Sequence, residues 1–273
     1  MNKNNNIIKK TFLFAGILSL LLGCSTDEKQ TVVTMTNLVM QDEFDVNGAP
    51  NSAYWGFDIG TGPNSNGWGN NELQYYTDRP ENVKVLDGML QITAKREIYL
   101  GSQYTSAKIL SKGKFNQKHG RFEARIKMPW GQGLWPAFWL LGSNIDQVGW
   151  PQCGEIDIME YRGQAPTVTN AAVHGPGYAG ANAISKSYDL INQRLDTDFH
   201  IYGAEWGENY INFYIDDVLF KQITPEDVTG EWVFENPFYM ILNLAVGGSY
   251  VGPPNGETSF PQIMYVDYIR VYN

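Results

Sequence analysis

The 273 residues carry 20 Lys+Arg against 29 Asp+Glu, a formal net charge of −9 at neutral pH. So acidic a chain repels nucleic acid and sulfated polysaccharide, and neutral polymers are left as the better partners. Aromatic residues make up 14%, with 8 Trp and 16 Tyr, more flat amphipathic surface than a core alone requires.

At the N-terminus, Lys3, Lys9 and Lys10 precede an apolar run from Thr11 to Leu22, too short to span a bilayer comfortably. The run ends in Leu21-Leu22-Gly23-Cys24, which resembles the lipobox of bacterial lipoproteins. The expectation is a signal peptide over 1–23, cut before Cys24, which then carries the lipid. Residues 24–36 read as a flexible tether and 37–273 as one domain. Acyl chains alone would hold this protein to the bacterial envelope, at the outer membrane or cell surface. Cleavage would leave 17 Lys+Arg against 29 Asp+Glu, a net −12. Cys153 would be the one remaining thiol, so no intrachain disulfide is expected; it reads as a small buried residue.

Strand signals dominate the rest of the chain. Leu90, Ile92 and Ala94 alternate with polar residues just after an Asp87-Gly88 turn signal, and Phe122, Ala124, Ile126 and Met128 alternate with charged ones. Trp135 and Trp139 fall on one face of a strand entered through Gly131-Gln-Gly133. Ile211–Ile215, Asp216-Asp217 and Val218–Phe220 read as a hairpin, and Met264–Tyr272 as the last strand. Pro225–Thr229 is at most one helical turn. Many short strands with Gly, Pro and Asn turns predict an all-β sandwich or barrel.

The segment Cys153-Gly-Glu-Ile-Asp-Ile-Met-Glu-Tyr-Arg162 places Glu155, Asp157 and Glu160 within six positions. Alternation puts Glu155 and Asp157 on one face of a strand. A β-bulge at Ile158-Met159 would return Glu160 to that face. Three carboxylates in a row repel one another and add nothing to a structural strand. Glycosidic hydrolysis needs them: a nucleophile, an acid/base, and a third group holding these in different protonation states.

Several motifs together resemble glycoside hydrolase family 16, most closely its laminarinase-type endo-β-1,3-glucanases. They are Trp68-Gly-Asn-Asn-Glu-Leu-Gln-Tyr-Tyr76, Gly120-Arg-Phe-Glu-Ala-Arg-Ile126, Gly131–Leu141 and Gly154–Tyr161. His200–Trp206, Phe238–Gly248 and Val266–Tyr272 continue the likeness to the end. The resemblance implies a jelly-roll sandwich of two curved antiparallel sheets, with the sugar chain across the concave face. It implies Glu155 as nucleophile, Glu160 as general acid/base and Asp157 between them. Two charges about 5.5 Å apart at an effective dielectric of 20 repel by roughly 3 kcal/mol, so one carboxyl should stay protonated. Hydrogen bonding between Asp157 and Glu155 would leave that proton on Glu160. A carboxyl separation of about 5–5.5 Å corresponds to retention.

The resemblance further implies sugar stacking by Trp135 and Trp139, an aromatic near the cleavage point at Trp150, and hydroxyl-gripping by Asn70 and Arg96. His174 would be the electrostatic neighbour of the acidic strand. No organic cofactor is implied, but a structural calcium is, held by Glu43, the Gly88 carbonyl and Asp267. The expected activity is retaining endo-hydrolysis of laminarin-like β-glucan by a monomer. The rivals are a mixed-linkage β-1,3-1,4-glucanase, against which the bulged spacing argues, and a catalytically silent β-glucan-binding protein, expected to lack catalytic glutamates that this chain retains. A structural lectin-like protein would leave the acidic strand unexplained.

Overall fold

The computed structural model describes residues 34–273; the predicted signal peptide, Cys24 and most of the tether lie outside the described residues. In chain order the strands begin with β1 (Leu38–Asp42), β2 (Gly56–Phe57), β3 (Gln74–Tyr76), β4 (Val83–Leu86), β5 (Met89–Tyr99) and β6 (Ser102–Ser106). Then come β7 (Lys108–Leu110), β8 (Gly120–Lys127), β9 (Leu134–Gly142), β10 (Glu155–Tyr161), β11 (Val168–His174) and β12 (Ile184–Asp189). The last are β13 (His200–Gly207), β14 (Tyr210–Ile215), β15 (Val218–Ile223), β16 (Phe238–Val246) and β17 (Gln262–Tyr272).

The strands form two sheets. One runs β15-β14-β13-β8-β17-β5-β6-β3, with β1 on β17 and β4 on β5; the other runs β12-β11-β10-β9-β16-β7-β2. Neighbours such as β9 and β16, or β8 and β17, are far apart in sequence, as in the jelly-roll sandwich expected. Asp87 and Gly88 both adopt positive φ, and so do Asp216 and Asp217, which gives each two-residue hairpin the twist its strands need.

The apolar faces meet in one core. Leu90, Ile92 and Ala94 of β5, with Phe122, Ala124 and Ile126 of β8, pack against Phe138 and Leu140 of β9 and Ile156 of β10. Each fully buried aliphatic side chain contributes about 1.5–3 kcal/mol relative to exposure. Glu123 departs from simple alternation. It points outward from β8 yet is buried, because the Arg121 guanidinium pairs with it and Tyr272 OH donates to it at 3.2 Å.

The tether boundary needs correction. Thr34 donates through its backbone N and Oγ1, and Met35 through its backbone N, to the buried Glu205 carboxylate of β13 at 2.5–3.1 Å. Asn37 and Asn273 then exchange backbone hydrogen bonds. Composition assigned Thr34 and Met35 to a solvated linker, but a long-range carboxylate that no local pattern reveals binds them to the fold.

Candidate active site

Register shows how β10 aims its acids. Asp157 lies opposite Ala172 of β11 and Glu160 opposite Asn170, so Ile158 and Met159 together face the single Ala171. The β9 side shows the same shift, with Asp157 opposite Trp139 and Glu160 opposite Ala137. This is the expected bulge. Ile158 and Met159 are both buried in the core, and Glu155, Asp157 and Glu160 share the outer face. The strand begins at a close approach. A Cβ on Gly142, at the end of β9, would lie 1.9 Å from the Cys153 carbonyl, so only glycine fits there. Cys153 itself is free and buried, and burial pushes its thiol up to about 11.

Three tryptophans direct their indole N–H at cleft polar groups. Trp150 donates to Glu155 Oε2 at 2.9 Å, Trp135 to Glu160 Oε1 at 3.0 Å, and Trp139 to Asn243 Oδ1 at 2.8 Å. Trp150 is 47% exposed, its ring open to an incoming ligand. Trp135 packs on Tyr250, with ring centroids 5.0 Å apart. Trp139 is more embedded, against Leu110, Tyr239 and Ile241 on the outer face of the sheet, with the Lys108 ammonium 5.1 Å from its ring centroid.

Opposite Glu155 in register is His174. Its Nε2 lies 2.9 Å from Asp157 Oδ2, off the line of a good hydrogen bond, and 3.7 Å from Glu155 Oε1. Glu155, Asp157 and His174 present donor atoms within 4.8 Å of one another, close enough to hold a metal ion. However, His174 Nδ1 accepts the Gly180 backbone N–H at 3.1 Å. In the neutral ring that leaves the proton on Nε2, facing the carboxylates, an arrangement suited to donating a hydrogen bond and not to ligating.

Burial is the largest influence on all three acids. It lifts Glu155 to about 8, with the Asp157 charge adding to the rise and the Trp150 hydrogen bond opposing it. Glu160 is also pushed up to about 8, and Asp157 to about 7, the hydrogen bond with Glu155 restraining the latter. Sequence reasoning had repulsion keep one carboxyl protonated and the Asp157–Glu155 hydrogen bond leave that proton on Glu160. Desolvation is the larger effect, and it raises both glutamates.

The two predicted gripping residues lie on different elements. The Asn70 carbonyl accepts the Ser249 N–H, and a Cβ on Gly248 would touch both that carbonyl and the Trp135 ring, so Asn70 flanks the same subsite as Trp135. Arg96 is exposed on β5, in the opposite sheet, in a depression with Lys95, Thr258, Phe260 and Pro261. It has no contact with the carboxylates. Sequence reasoning passed over Asn243, although a lone amide in the apolar strand β16 was a visible signal. Tyr250 offered none.

The calcium donors are oxygens of the right kind, arranged otherwise. Glu43 receives Arg270 through two bonds of 2.8 and 2.9 Å, and Asp267 receives Arg125 Nη1 at 2.6 Å. A cation here would have to displace both guanidinium groups.

Residues 70–270 match the profile of Glycosyl hydrolases family 16. The chain belongs to this family. It is 39% identical over 270 residues to a beta-glucanase of Rhodothermus marinus, covering 94% of this chain and 93% of the relative. The family fold is matched as closely in solved structures. An endo-β-1,3-glucanase from Pyrococcus furiosus superposes with a TM-score of 0.83 at 45% identity, covering 86% of this chain and 94% of that one. The catalytic domain of an endo-1,3-β-glucanase (laminarinase) from Thermotoga petrophila gives 0.84 at 44% identity, covering 88% and 99%. Family 16 enzymes retain anomeric configuration, which suits two carboxyls on one face of a strand.

Proposed function

We propose that this chain is an endo-β-1,3-glucanase that cleaves laminarin-like β-glucan with retention. The observation that carries the reading is the bulged strand β10, whose Glu155 and Glu160 share one face and each accept a tryptophan N–H. Glu155 attacks the anomeric carbon as Glu160 gives its proton to the departing glycosidic oxygen. The resulting ester of Glu155 is then cut by water, whose proton returns to Glu160 as the sugar leaves. Burial and mutual repulsion hold protons on this coupled cluster, and the reaction proceeds from the form in which Glu155 is ionised and Glu160 keeps its proton. Asp157 lies between them and His174 beside it, Trp135 and Trp150 bracket the reacting bond, and Asn70 and Trp139 serve the sugars beyond. Arg96, exposed beside Thr258 and Phe260, offers a further cationic donor to sugar hydroxyls. Product analysis on laminarin, lichenan, agarose and carrageenan, with anomers followed by NMR, tests this. Cleavage of lichenan alone, or inverted products, would sink it.

Two further elements belong to this proposal. Cys24 carries a lipid that holds the enzyme at the envelope, supported by the lipobox; Cys24→Ser should release active enzyme from the membrane fraction, and unchanged retention would rule the anchor out. A calcium at Glu43, the Gly88 carbonyl and Asp267 would have a purely structural role, and it would bind only by replacing the Arg270 and Arg125 guanidinium groups on the two carboxylates. A melting temperature that is the same in excess calcium and in chelator would leave the two arginine pairs as the whole of that site.

A further inference from the structure

A hydrogen-bonded chain runs beneath the cleft from Asn70 to Trp139, and at its centre is the half-buried Glu72. Its carboxylate accepts Asn70 Nδ2 at 3.2 Å, Gln74 Nε2 at 2.6 Å and Tyr76 OH at 3.2 Å. Tyr76 OH in turn accepts Asn243 Nδ2 at 3.2 Å, and Asn243 Oδ1 accepts Trp139 Nε1 at 2.8 Å. Gln74 Oε1 accepts the Val246 backbone N–H at 2.7 Å.

Every donor and acceptor in this chain is determined. Indole and backbone N–H groups can only donate, and a carboxylate can only accept. Trp139 therefore sets the orientation of the Asn243 amide, and Val246 that of Gln74. Asn243 leaves Tyr76 with its proton for Glu72. At the other end, Glu72 holds the Asn70 nitrogen, which leaves Oδ1 of this exposed side chain as the free acceptor. The retaining hydrolysis proposed above does not itself use Glu72, and its burial calls for an explanation. Desolvation raises its pKa, opposed first by the bonds from Gln74 and Asn70.

We infer that Glu72 is a positioning residue for the sugar-binding side of the cleft, presenting Asn70 Oδ1 to a substrate hydroxyl and holding Trp139 in register with it. The ligand class is a neutral glucan whose hydroxyl donates to Asn70. This rests on the functional reading above and deepens it. Glu72→Gln keeps the shape but puts an amide NH₂ among three donors, so one of them loses its partner and the Asn70 amide is free to turn over.

The test is steady-state kinetics on laminarin for the wild type, Glu72→Gln, Asn70→Ala and the double variant. Glu72→Gln should raise KM about 5- to 20-fold with much less change in kcat, because the contact it supports is made in ground and transition states alike. In the Asn70→Ala background most of that rise should vanish, since residues in one network do not act additively. An unchanged KM, or the same rise with and without Asn70, would overturn the positioning role. Should Glu72→Gln fail to fold, Tyr76→Phe cuts the branch to Asn243 and should raise KM while leaving the Asn70→Ala effect intact; no rise in KM would overturn the link to Trp139. Wild-type protein inactive on β-glucans would sink the functional reading, whereas active wild type with kinetically silent variants sinks only this inference.

Discussion

The Gly180 backbone N–H donates to Nδ1 of His174 at 3.1 Å, and this one bond decides which ring nitrogen faces Asp157. Nδ1 accepts that bond, so in the neutral ring the proton sits on Nε2, toward Asp157. Nitrogen-15 shifts of the neutral His174 ring should report that tautomer. The opposite tautomer would show that the turn at Gly180 does not control the ring.

Glu155→Gln should reduce turnover by about 10⁴-fold or more while β-1,3-oligosaccharide binding persists, because the attacking charge is gone and the shape is kept. The same variant carries a stability prediction. Glu155 has its pKa raised on folding to about 8, so between the unfolded value of 4.5 and that pH the folded state binds more protons than the unfolded one. Stability therefore falls as pH rises through this window, and glutamine removes the fall. The gain in melting temperature over wild type should be larger at pH 8 than at pH 5. An equal gain at both would mean that Glu155 is not desolvated.

The pH profile of kcat/KM should lose activity on its alkaline side around pH 8, where Glu160 gives up its proton. The three acids titrate as a coupled set, so the limb belongs to the cluster. Glu160→Ala should remove that limb for substrates with a good leaving group, which need little protonation. Azide should rescue this variant with retained configuration; rescue with inversion would assign the nucleophile to Glu160.

Trp135 combines an indole N–H bonded to Glu160 with a ring at the cleft surface. Phenylalanine keeps a ring and removes the bond. Trp135→Phe should therefore lower kcat, since a hydrogen bond to a charged group contributes about 1.5–3 kcal/mol, and should disturb KM less. Trp135→Ala should also weaken binding by roughly 1–3 kcal/mol, as for aromatic stacking on planar ligands. A large loss of melting temperature with unchanged KM in both variants would make Trp135 a packing residue.

Glu205→Ala should free the start of the domain without touching the cleft, because Glu205 accepts all three bonds from Thr34 and Met35. Amide exchange at Met35 should quicken while laminarin hydrolysis keeps its rate. Exchange as slow as in wild type would mean that the Asn37–Asn273 pairing alone holds this segment.

Much of the architecture is local and so was legible in the chain. Period-two alternation located β5, β8 and β17, and the Asp87-Gly88 and Asp216-Asp217 pairs marked the β4–β5 and β14–β15 hairpins. The six-position spacing of Glu155, Asp157 and Glu160 required a bulge where Ile158 and Met159 stand, because only an extra residue returns Glu160 to the acidic face. Other features depend on partners distant in sequence, which no local pattern encodes. The docking of Thr34 on Glu205, the burial of Glu123 under Tyr272, and the chain from Asn70 through Glu72 to Asn243 all join segments that meet only when the sheets assemble. Protonation belongs to the same class. The sequence counts the charges on β10 and their repulsion, but desolvation depends on what covers them, and only the closed sandwich decides that Glu155 and Glu160 rise together.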